Sequence, residues 1–163
     1  MNKAPKLLAV IDYQNDFVTG SLGFEGAAAI DDGIARLAQT YLAQGDHVLF
    51  TYDTHDDTYL ETREGRALPI PHCNPNETGW RLYGKTQELC CETCANHQIH
   101  TVCKHTFGMP PSELVKLGKE LPGLRDHGGR RGDQHVRAVQ RRAAAGPVAG
   151  GTDHSGCRAL PQL

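Results

Sequence analysis

The sequence has little net charge, no long apolar run and no regular cysteine spacing, and each absence narrows what the chain can be. A formal charge of -2, from 17 basic and 19 acidic side chains, gives no electrostatic case for a nucleic-acid partner. No stretch is long and apolar enough to span a bilayer, so no membrane contact is expected. The opening MNKAPKLLAVIDYQND has only a brief apolar run that ends in charge. It does not read as a signal peptide, and the expected location is cytoplasmic. Cys73, Cys90, Cys91, Cys94, Cys103 and Cys157 lie too unevenly for a secretory disulfide framework and read as reduced thiols. At 163 residues the length suits one domain with a real core.

What is present is the grammar of an α/β fold. Leu7 to Ile11 is a short apolar run of the kind buried on both faces of a sheet, and it stops at Asp12. Chemistry in open α/β sheets collects at the carboxyl ends of strands, which makes Asp12 a candidate general acid or base. A helix cap or turn residue is the competing reading. AAAIDDGIARLAQTYLAQG sets Ile30, Ile34, Leu37, Tyr41 and Leu42 at helical spacing, with Gly45 as a C-terminal stop. Val48 to Tyr52 predicts a second buried strand that also ends on an aspartate. IHTVCKHTF predicts a third, and PPSELVKLGKEL a helix with Pro111 and Ser112 near its start. Strand, helix, strand with short connections implies a right-handed parallel βαβ unit. This grammar covers residues 1–124. Residues 125–163 have no sustained apolar period and shift to Gly, Arg and Ala, an atypical basic tail.

The segments IDYQNDFVTGSLGF, YDTHDDTYLETREGRALPIPHC, GW and KHTFG resemble, in order and spacing, the cysteine hydrolase family that includes isochorismatases and nicotinamidases. Several dispersed motifs in the right order are far more specific than one. The resemblance implies a three-layer parallel sheet, isochorismatase-like and Rossmann-like, and an Asp, Lys, Cys triad that performs acyl transfer through a thioester. Asp12 matches the triad aspartate and Lys104 the triad lysine. An ammonium favours a thiolate, and a carboxylate can carry its proton to a leaving amine. Asp53 and His55, as D-x-H, together with His72 resemble the nicotinamidase metal site, where one divalent ion, zinc or similar, polarises the pyridine nitrogen side of the substrate. Glu64 matches a position where some of those enzymes use a carboxylate as a further ligand. Loop histidines bonded to backbone are the competing reading of His55 and His72. Phe17 and Trp80 match aromatic positions that help enclose a flat heterocycle, although a lone aromatic is as readily core. Isochorismatases resemble the family without needing a metal, so the D-x-H feature leans toward amidase chemistry on a small nicotinamide-like amide with release of ammonia. Isochorismatase-type hydrolysis is the alternative. No organic cofactor is implied, and homo-oligomers are, although no interface is legible.

The family's nucleophile strand is missing. Its cysteine should follow a strand of the type GVxTNxCVxSNA downstream of the lysine, and Cys157, in HSGCRAL, does not fit that setting. Without the thiolate the chain is expected to be inactive and its fold incomplete. If each codon takes the last two bases of one residue and the first base of the next, DHGGRRGDQHVRAVQRR permits I-M-A-G-V-A-E-T-N-M-C-V-L-S-N-A. The cysteine codon then straddles Val136 and Arg137. The same shift lets AGGTDHSGC read P-E-A-Q-I-T-V-D-A, which resembles the family's next strand. A frameshift near Leu121 to Arg125 accounts for both strings.

Two non-catalytic readings compete. Cys91 and Cys94 form C-x-x-C, and His97, His100 and Cys103 follow, which could make a structural zinc site, though only one C-x-x-C is present. The tail arginines Arg125, Arg130, Arg131, Arg137, Arg141 and Arg142 could bind RNA, but the tail offers no aromatic for base stacking. GC-rich coding read out of register yields Arg, Gly, Ala and Pro more economically. Resequencing the coding DNA from the Pro110 codon onward is expected to reveal a one-base difference, and an unchanged reading would remove the frameshift.

Overall fold

The structure is a computed structural model that describes residues 5–93 and 95–121. The second segment, 125–163, and Cys94 lie outside the described residues. Strands β1 (Leu7–Ile11), β2 (His47–Asp53) and β3 (Ile99–Lys104) form a parallel sheet in the order β1-β2-β3. Around it lie α1 (Asn15–Val18), α2 (Asp31–Ala43), α3 (Arg63–Ala67), α4 (Gly84–Glu92) and α5 (Pro111–Glu120). The expected α/β fold with a parallel sheet is what forms.

Alternation along the strands explains why they read as unbroken apolar runs. Leu8, Val10, Val48, Phe50 and Tyr52 face one core, shared with Ile34 and Ala38 of α2 and Leu89 and Cys90 of α4. Leu7, Ala9, Leu49 and Val102 face a second core with Leu121 and the partly buried Met109 and Leu117. Both faces of β1 and β2 are covered, whereas β3 leaves Thr101 exposed. No helix among the described residues is long and apolar enough to cross a membrane.

Helix α2 buries Ile34, Ala35 and Ala38, with Leu37, Tyr41 and Leu42 packed against the core. Ile30 departs from the expected stripe: it is 40% exposed and ends a short 3-10 turn before the helix proper. Gly45 stops α2 as expected, with φ at +76°. Its N–H donates to Leu42 O (3.1 Å) and the Asp46 N–H to Tyr41 O (3.0 Å), the paired bonds of a Schellman cap. Cys103 corrects the expectation of reduced thiols, because it is disulfide-bonded; Cys73, Cys90 and Cys91 are thiols outside any disulfide. Sequence spacing does not reveal which cysteines come within bridging distance.

Helix α4, absent from the sequence expectations, is held by a distant carboxylate. Buried Asp31, at the start of α2, accepts from Lys85 N (2.7 Å), Thr86 N (3.1 Å) and Thr86 Oγ1 (2.7 Å). It therefore satisfies first-turn N–H groups of α4 that nothing else on that helix caps. Gly84, at φ +49°, leaves room for it, since a Cβ there would lie 2.3 Å from Asp31 Oδ2. Asp31→Ala is expected to cost about 2–3 kcal/mol in urea denaturation, and a loss below about 0.5 kcal/mol would show that α4 stands without the cap.

Candidate active site and metal centre

Parallel register delivers the site. Asp53 and Lys104 are direct partners at the ends of β2 and β3, and Ile11 is paired with Thr51, so Asp12 emerges beside them. Asp12 adopts φ +50°, a left-handed conformation uncommon outside glycine. Thr51 fixes it: Asp12 N donates to Thr51 Oγ1 (3.0 Å), whose hydroxyl donates to Asp12 Oδ1 (2.6 Å). Lys104 Nζ then lies 2.8 Å from Asp12 Oδ2 and 3.0 Å from Asp53 Oδ1, with the Thr106 carbonyl at 3.4 Å. The lysine is 3% exposed.

The electrostatics follow from that burial. Desolvation pushes the Asp12 carboxyl up; Lys104 opposes this and the Asp53 charge adds to it, and the net shift is upward. Burial alone would lower Lys104, but the charges of Asp53 and Asp12 outweigh it and raise it. Burial would likewise raise Asp53, yet the His55 and His72 hydrogen bonds and the Lys104 charge hold it well below the usual carboxylate range. Two neighbouring carboxylates are thus driven in opposite directions, an arrangement suited to a proton carrier beside a permanent anion.

Asp53 also belongs to a second group. One donor atom each from Asp53, His55 and His72 lies within 4.8 Å of the others, and all three residues are buried. His55 Nε2 is 3.2 Å and His72 Nε2 3.5 Å from Asp53 Oδ2. His72 donates from Nδ1 to the Ile70 carbonyl (2.7 Å), which turns Nε2 toward the cluster, where it bonds Asp53 in the absence of an ion and would give its lone pair to a bound one. Two imidazoles and a carboxylate, convergent and desolvated, fit a divalent ion such as zinc. Tyr59 packs on both rings, 4.3 Å from His55 and 5.0 Å from His72, and donates its hydroxyl to Leu68 O. Burial and the Glu64 and Asp53 charges push that hydroxyl up to about 12.

The remaining sequence candidates fall less tightly. Glu64, on α3, is half-buried and raised by burial and the Asp53 charge, but it is not one of the three converging donors. Phe17 meets His72 edge-on at 5.5 Å. Trp80 is 9% exposed, tilts over Tyr52 at 4.9 Å and donates Nε1–H to Thr54 Oγ1 (2.9 Å). The alternative zinc set is not assembled among the described residues: Cys103 is in a disulfide, while His100 contacts His47 and Glu120. Cys73, the fully buried thiol in this region, is pushed up by burial and by the charges of Asp53, Asp16 and Asp12. It is a poor thiolate.

Sequence reasoning missed Gln14, Asp16, Thr51 and Tyr59 as supports of the site. Gln14 and Asp16 stand in the quoted IDYQNDF segment, but a polar residue after a strand carries no sign that it is buried.

A family model described as Isochorismatase domain matches residues 6–109. An uncharacterized isochorismatase family protein PncA of Bacillus subtilis (strain 168) is 37% identical over 87 residues, 52% of this chain and 47% of that protein. The chain thus spans about half the length of the curated relative it matches. The crystal structure of nicotinamidase PncA from Bacillus subtilis aligns with a TM-score of 0.61 at 30% identity, covering 71% of this chain and 66% of that one. A pyrazinamidase/nicotinamidase from Streptococcus mutans UA159 aligns at 0.60 and 26%, covering 70% and 66%.

Removing the ammonium from between two buried carboxylates leaves uncompensated charge. Lys104→Met is expected to cost about 3–5 kcal/mol in urea denaturation at neutral pH, with Asp12→Asn in the same chain restoring part of it; a near-neutral Lys104→Met would disprove the bridge.

Proposed function

This chain belongs to the isochorismatase family, and from that premise we propose that it is built on a nicotinamidase-like amidase scaffold for a small amide, inactive as it stands because its nucleophile is out of frame. The observation that carries the reading is the Lys104 ammonium between Asp12 and Asp53, beside a donor set fit for a divalent ion. A family member without need of a metal has no reason to converge two buried imidazoles on a carboxylate. That contrast favours amidase over isochorismatase chemistry.

The residues divide the work in a way their environments support. The Asp12 carboxyl, raised by burial, is suited to take the proton of a thiol and give it to the leaving ammonia. Lys104, kept charged by its two partners, stabilises the thiolate and holds Asp12 in place. His72 and Phe17, in edge contact, border the space where a planar ring would sit, with Trp80 behind Thr54 as a further wall. A divalent ion held by Asp53, His55 and His72 would polarise the ring-nitrogen side of the substrate. The acyl group passes to the thiol with loss of ammonia, and water then cleaves the thioester to the acid.

The thiol is supplied by the second reading of the tail codons, I-M-A-G-V-A-E-T-N-M-C-V. The family match ending at residue 109 agrees with a break in frame soon after. The frame-restored protein is expected to release ammonia from nicotinamide, and replacement of the restored cysteine by alanine or of Asp12 by asparagine should lower kcat at least about 1000-fold. The chain as it stands should release none above buffer. A folded, frame-restored protein inert toward nicotinamide and related small aromatic amides would sink the proposal.

A further inference from the structure

The backbones of the candidate metal ligands are held by Gln14 and by Asp16 of α1, which grip peptide groups rather than donor atoms. Gln14, fully buried, uses its whole amide on backbone: Oε1 accepts from Asp53 N (2.7 Å), while Nε2 donates to Asp53 O (2.9 Å) and Trp80 O (2.7 Å). Gripping both the N–H and the C=O of one residue requires an acceptor and a donor on the same planar group. The amides of Asn and Gln present that pair side by side on one carbon without a change of protonation, and Gln has the added reach.

Asp16, two residues on, holds the other arm. Its Oδ2 accepts from Cys73 N (2.7 Å), the peptide that follows His72. Cys73 is held at φ +52°, and its carbonyl accepts from His55 N (3.0 Å). The backbones of Asp53, His55 and His72 are therefore all tied, directly or through one hydrogen bond, to residues 14 and 16. Close approach makes this grip sterically demanding: a Cβ on Gly79 would lie 2.2 Å from Asp16 Oδ2, and one on Gly20 2.4 Å from Asp16 Oδ1. Both positions must be glycine for the carboxylate to sit where it does. Asn15, between the two, donates Nδ2–H to Thr78 O (2.9 Å), which steadies the turn from the Gly79 side.

We propose that Gln14 and Asp16 are positioning residues of the metal centre, holding Asp53 and His72 at the spacing a divalent ion requires before any ion arrives. The inference rests on the metal-centre reading given above. Outer-shell partners usually act through the far ring nitrogen of a ligand histidine; here the grip is on the ligands' backbone. It also ties the metal centre to Asp12, because Asp12, Gln14 and Asp16 follow β1 without a break, Asp16 on α1.

The test is a Co2+ titration of the full chain, followed by visible absorption and competed with Zn2+. His55→Ala serves as the ligand-loss reference. Gln14→Met and Asp16→Ala are expected to weaken Co2+ binding by about 10- to 100-fold and to diminish the absorption band of a regular tetrahedral site. Gln14→Glu keeps the acceptor but loses both donors and should fall between. Asp16→Asn keeps an acceptor oxygen for Cys73 N and should recover most of the affinity, a rescue that general destabilisation would not produce. Should Gln14→Met fail to fold, the Asp16→Asn and Asp16→Ala pair decides. Equal Co2+ affinity and equal spectra for the wild type and the folded variants would overturn the positioning role alone. A wild type that binds Co2+ no better than His55→Ala would overturn the metal centre itself, and the positioning role with it.

Discussion

A buried ammonium needs two anionic partners, and that need governs this molecule. Lys104, 3% exposed, has lost nearly all the hydration that would offset its charge, and an isolated cation in that place would be neutral or would unfold the strand. Its partners come from different strands, Asp12 after β1 and Asp53 at the end of β2. The charge is therefore satisfied only when three strand ends are in register. Slipping β3 by one residue would turn Lys104 toward the apolar face and put a neighbour in its place. Register, usually specified by apolar alternation, is here also specified by charge.

The same arithmetic leads from the lysine bridge to the candidate metal site. One ammonium and two carboxylates leave an excess negative charge, and it resides on Asp53, which is held well below the usual carboxylate range. The His55 and His72 imidazoles face that excess with their Nε2 atoms. A protonated imidazole or a divalent ion would each answer the imbalance, but a convergent pair of buried rings with Tyr59 packed across both suits the ion better. Two protonated histidines 4.7 Å apart between centroids would repel one another. Asp53 thus belongs to both halves of the site, so any shift of β2 disturbs the lysine bridge and the ligand set together.

What was legible in the sequence was whatever local periodicity or a strand-end position makes visible. The apolar runs of β1 and β2, the Gly45 stop and the strand-end pair Asp12 and Asp53 all have signals within a few residues. Helix α4 had none: its inward residues are Thr86, Leu89 and Cys90, too few for a stripe, and its cap comes from Asp31, more than 50 residues away by the separation of the contact. Gln14 was illegible for the same reason, since a buried glutamine is written like an exposed one until its backbone partners on other elements are known. Ile30 matched the helical spacing yet lies outside the helix, because the chain enters α2 through a tighter turn. Pattern finds the elements; long-range polar bonds decide how they are joined.

The edge of the described sheet bears on the proposed loss of the thiol. Among the described residues β3 pairs with β2 on one side, and α5 follows it, packing Leu117 toward the sheet while Leu114 and Val115 remain 54% and 59% exposed. A helix after a parallel strand returns the chain to the start of the sheet, ready for a further parallel strand laid beside the last one. Under the proposed second frame, the residues from Asp126 onward permit I-M-A-G-V, an apolar run of strand length, with the cysteine six residues beyond it. Laid parallel to β3, that run would carry the thiol past the strand ends, to the edge where Lys104 lies. The outward residues of α5 would then gain the next crossover helix as a neighbour. Among the described residues, the unpaired edge of β3 and the exposed side chains of α5 lie where the proposed in-frame strand and its helix would pack.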